Sequence, residues 1–89
     1  MDKNKLHGQL EELHDELQQV ESFDDSDREM LQRLTKDIRD VLERKDDHAE
    51  HYHQLSGRLR EAIARLEASH PKATTLMTQV IDQLSYMGI

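Results

Sequence analysis

Eighty-nine residues with a formal charge of −7, no cysteine and a single proline describe one small domain with a thin core. They exclude a disulfide framework and thiolate metal sites, and an anionic chain is a poor match for nucleic-acid phosphates or an anionic membrane surface. Only Phe23, Tyr52 and Tyr86 are aromatic, and three glycines add few breakers, so the composition points to long helices rather than strands.

No apolar run approaches the roughly 20 residues of a membrane span. The opening "MDKNKLHGQLEEL" lacks an apolar h-region. Together with the absent cysteines, these features predict a cytoplasmic protein. The charge is uneven. Residues 1–21 carry six acidic and two basic side chains, a balance of −4, whereas residues 71–89 carry one of each. The C-terminal quarter therefore presents a different kind of surface.

In "LHGQLEELHDELQQV", Leu6, Leu10, Leu13, Leu17 and Val20 alternate steps of four and three. That spacing gathers them into one stripe and predicts a helix over about 3–20. "ESFDDSDRE" is the first punctuation. Ser26, with Glu29 three residues on, has the arrangement of a capping box, and predicts a second helix over about 27–44. Phe23 is expected to plug the bundle end. Leu31, Leu34, Ile38 and Val41 form the stripe of this helix, widened by Met30 and Leu42.

A third helix is predicted over about 52–69, with Leu55, Leu59, Ala62 and Leu66 inward and Ile63 alongside. Arg58, Arg60 and Arg65 interleave with Glu61 and Glu67, which reads as a solvated salt-bridge face. The helix ends at "ASHP", where proline suits the first turn of a new one, with Ser69 or His70 as its cap. The fourth helix spans about 71–86. Between helices 2 and 3 the same spacing runs on through Lys45, His48 and Tyr52, with no glycine or proline. One continuous helix is the alternative there. A break near 45–52 is preferred, because folding back lets each stripe find a partner.

These motifs resemble a small bacterial family, the domain-of-unknown-function 4404 family. The matching stretches are "LHGQLEELHDEL" at 6–17, "DDSDREMLQRLTKDIRDVL" at 24–42, and "LSGRLREAIARLEASHPKATTLMTQVIDQLSYMGI" at 55–89. The "EASHP" junction and the terminal "MGI" are the most specific parts. The resemblance implies a short all-helical protein with no assigned activity, and it supplies no catalytic residues.

Glu-x-x-His occurs three times, as Glu11/His14, Glu50/His53 and Glu67/His70. Such pairs on separate helices hold di-metal centres when further inward carboxylates complete the shell. Here leucines already occupy the inward stripes, so these pairs are expected on solvated flanks. "DDHAEHYH" at 46–53 offers Asp47, His48 and His51 as an incidental site for nickel or zinc. Titration of the six histidines near neutrality is expected without structural consequence. No glycine-flanked nucleophile or phosphate-cradling loop is present, so no enzyme and no cofactor are expected.

The fourth helix is the most informative surface. Its apolar face comprises Ala73, Leu76, Met77, Val80, Ile81, Leu84 and Met87. Its other face, Thr74, Thr75, Thr78, Gln79, Gln83 and Ser85, is uncharged, and from residue 73 to 89 only Asp82 carries charge. Depletion of charge marks interface cores. The sequence thus predicts an all-α protein, one domain over 1–89, built as a small antiparallel helical bundle of hairpins with coiled-coil-like packing. Its predicted role is that of a non-enzymatic interaction module or homodimer. The predicted interface is Leu76, Met77, Val80, Ile81, Leu84, Met87 and Ile89. A metal-binding helical protein using the Glu/His pairs, or a regulatory or stabilising subunit of a larger complex, are the alternatives.

Overall fold

The computed structural model of the chain describes residues 3–20, 24–43 and 49–86. It contains four helices, α1 (Lys3–Gln19), α2 (Asp25–Glu43), α3 (Ala49–Leu66) and α4 (Pro71–Tyr86), and no strand among the described residues. Each helix packs on two neighbours, α1 and α3 each touching α2 and α4, and among the described residues the backbones of the diagonal pairs do not come close. Successive helices run antiparallel, giving a closed four-helix bundle about 35 Å long and 20 Å across.

The apolar stripes meet in a single core. Leu6, Leu10, Leu13 and Leu17 of α1 face Leu31, Leu34, Ile38 and Val41 of α2, Leu55, Leu59, Ala62 and Leu66 of α3, and Ala73, Leu76, Met77, Val80 and Leu84 of α4. Three-and-four spacing keeps each stripe on one side of its helix, which is what lets four helices share one axis of buried leucine. Met30, Leu42, Ile63 and Ile81 pack at its margins. None of the described helices is long and apolar enough to cross a membrane.

Several boundaries differ from the sequence reading. The amide of Arg28 donates to the carbonyl of Asp24 at 2.8 Å, which makes Asp24 the cap of α2 in place of Ser26. Asp25 and Asp27 then lie in the first turn, where carboxylates favour the positive helix end. Glu29 bonds forward to Arg33 at 3.0 Å rather than back to a cap. Helices α2 and α3 are two separate helices packed side by side rather than one continuous helix, with residues 44–48 outside the described residues. Helix α3 starts at Ala49, three residues before the predicted start, because Tyr52 continues its stripe and is only 5% exposed. It also stops earlier, at Leu66, whose carbonyl accepts from the amides of Ser69 (3.2 Å) and His70 (2.7 Å). His70 caps α4, its carbonyl accepting from Thr74 at 3.2 Å, and α4 begins at Pro71 as expected. Phe23, Lys45, Asp47, His48, Met87, Gly88 and Ile89, and the side chain of Glu50, lie outside the described residues.

Candidate partner-binding face on helix α4

Five of the residues predicted to meet a partner turn inward instead. Met77 and Val80 are fully buried, Leu84 and Leu76 nearly so, and Ile81 packs against the same core. Leu76, Met77, Val80 and Leu84 are covered by the chain's own helices, so a second molecule cannot reach them without opening the bundle, whereas Ile81 is half-buried at the margin. The sequence could not distinguish an apolar stripe that packs on its own bundle from one left for a partner. Met87 and Ile89 lie outside the described residues.

The uncharged face is also narrower than expected. Thr74 and Gln83 are buried. The Thr74 hydroxyl donates to the Pro71 carbonyl at 3.0 Å, which satisfies it inside the bundle. What α4 leaves outward is Thr75, Thr78, Gln79, Asp82, Ser85 and Tyr86, with Lys72 at its start. Lys72 reaches Glu16 of α1 at 3.3 Å.

Two of these outward side chains are less polar than their letters suggest. Thr75 donates to the Pro71 carbonyl at 2.9 Å, and Thr78 to the Thr74 carbonyl at 2.9 Å. Their donors are committed to the helix's own backbone, and hydroxyls so bonded lose little when water is removed. Tyr86 is 82% exposed and is the one large hydrophobic side chain left outside among the described residues.

Beside this strip, α1 and α4 bound a groove of about 500 Å³ lined by Lys5, Gln9, Gln79, Asp82, Gln83 and Tyr86. The buried Gln9 Oε1 has no hydrogen-bond partner among the described residues.

Among the described residues the Glu11/His14 and Glu67/His70 pairs are not brought together. Glu11/His14 lies on α1, Glu67/His70 at the turn after α3, and no three His, Asp or Glu among the described residues converge on one point. Arg58 and Arg65 are not merely a solvated face of α3. Arg58 Nε pairs with Asp37 Oδ2, and Arg65 Nη2 lies 3.2 Å from Asp27 Oδ1, both across to α2. Sequence spacing within α3 carried no sign of these cross-helix pairs.

The fold and surface define a small, acidic, antiparallel four-helix protein whose core is filled by its own side chains. Across residues 6–89 the chain matches the family model described as Domain of unknown function (DUF4404), and it belongs to that family. No curated protein and no solved structure matches it.

Proposed function

We propose that this protein is a non-enzymatic interaction module that forms a homodimer through the outer strip of α4. One observation carries the reading. An exposed helix face with a single carboxylate, two hydroxyls bonded to their own backbone and a tyrosine at its end stands on a chain otherwise covered in charge. Desolvating such a strip costs little, and Tyr is a preferred anchor at interfaces. A two-fold axis near Thr78 and Gln79 makes the contact self-complementary and sets Tyr86 of each copy against Pro71 of the other. Stabilising a larger complex uses the same strip, with another protein in place of the second copy.

Sedimentation velocity over a wide concentration range tests this. The unmodified chain is expected to shift from monomer to dimer as concentration rises. Thr78→Asp and Tyr86→Ala are expected to remain monomeric with unchanged helicity. A monomer at the highest concentration would overturn homodimerisation.

A further inference from the structure

A second surface lies on another side of the bundle. Helices α1 and α2 bound a groove of about 640 Å³, and Arg28, Lys36 and Arg39 line it together with Leu17, Val20, Leu31, Gln18, Gln32 and Thr35. No acidic side chain lines it, on a chain of net charge −7. Elsewhere among the described residues, cations are engaged. Arg33, Arg58, Arg65 and Lys72 each hold a carboxylate, Lys5 has a partner, and Arg60 donates to Ser56 at 3.4 Å. Arg28, Lys36 and Arg39 have neither an ion pair nor a side-chain hydrogen bond among the described residues, and all three share this groove. The α2/α3 groove is the contrast, because its Arg33, Arg58 and Arg65 are all paired with acids.

Spacing identifies the ligand class. Arg28 and Arg39 are eleven positions apart on α2, which is about 16 Å along a helix axis. That is too long for one small anion and suits carboxylates repeated along a second helix lying in the groove. Half-buried Val20, with only the edges of the core residues Leu17 and Leu31 reaching the groove floor, gives such a helix a small apolar seat. A second copy fits poorly, since its one large exposed hydrophobic among the described residues is Tyr86, on the α4 side. We infer that the α1/α2 groove binds an acidic amphipathic helical segment of another protein. Its carboxylates pair with Arg28, Lys36 and Arg39, and one of its apolar side chains seats on Leu17, Val20 and Leu31.

The inference stands apart from dimerisation through α4, and its test separates the two. The probe is a labelled synthetic helical peptide with one leucine and with glutamates at the spacing of Arg28, Lys36 and Arg39. Fluorescence anisotropy at low ionic strength is expected to show saturable binding to the full chain. The combined variant Arg28→Gln/Lys36→Gln/Arg39→Gln weakens it about tenfold, as three modest ion pairs would. Added salt weakens it as well. Arg33→Gln/Arg60→Gln, and Thr78→Asp on α4, leave it unchanged. All these substitutions fall on exposed side chains, and circular dichroism checks the fold. Equal binding by the triple variant, or equal binding of a peptide with glutamine for glutamate, overturns the inference. So does tighter binding of a single-stranded oligonucleotide or of phosphatidylglycerol vesicles. Self-association abolished by the triple variant assigns the groove to a second copy and also overturns it.

Discussion

Val80 and Thr78 stand two positions apart on α4 and face opposite ways, so the same replacement at each separates core from surface. Val80 is fully buried. Changing it to Asp loses about 2 kcal/mol of apolar burial. The carboxylate then stays unpaired in the core or takes up a proton, either of which costs several kcal/mol more. A domain of this length holds only about 4–13 kcal/mol in total. Val80→Asp is therefore expected to remove most or all of the stability, lowering the melting temperature by about 20–40 °C at 4–8 °C per kcal/mol. Thr78 is exposed, and Asp has a helix propensity close to that of Thr, so Thr78→Asp is expected to stay within about 0.5 kcal/mol of the unmodified chain. Circular dichroism at 222 nm during thermal and urea melts reads both. A Val80→Asp protein that stays folded and merely monomeric would refute the placement of Val80 in the core, and would return it to the interface.

Two further outcomes follow from single positions. Gly57 lies inside α3, and a Cβ built there meets nothing within 4 Å. Gly57→Ala should therefore add about 0.5–1 kcal/mol through helix propensity alone, read as a higher urea midpoint with an unchanged slope; a neutral or negative result would mean that α3 is not regular there. Burial pushes the Tyr52 phenol above its ordinary value of 10.0, so the unfolded chain ionises first and the folded state holds the proton longer. Its contribution is fully present below pH about 10 and is lost as pH rises through the raised value. Urea midpoints should fall above pH about 10, and less steeply in Tyr52→Phe than in Tyr86→Phe, whose phenol is exposed.

The four helices and their apolar faces were legible from local spacing, because residues at steps of three and four fall on one side of a helix. The "EASHP" junction was legible too, since proline limits the backbone on both sides of it. Caps were less so. Asp24, Ser26 and Asp27 all suit a helix start, and the choice among them rests on where the first core leucines must sit. Tyr52 shows the same dependence, for it interrupts a run of polar residues yet belongs to the core stripe.

By itself the sequence determined that this is an acidic all-helical domain with one amphipathic stripe per helix and a charge-poor C-terminal helix. Its family likeness was also visible in the residues. Only the tertiary structure decided which helices are neighbours, and with that the meaning of each surface. It turned Leu76, Met77, Val80 and Leu84 into core, drew Thr74 and Gln83 inside, and spent Arg58 and Arg65 on α2. It also left Arg28, Lys36 and Arg39 together in one groove. Helical periodicity states which side chains share a face, because that depends on a few consecutive dihedral angles. What the face meets depends on residues far away in the chain, and only packing settles it.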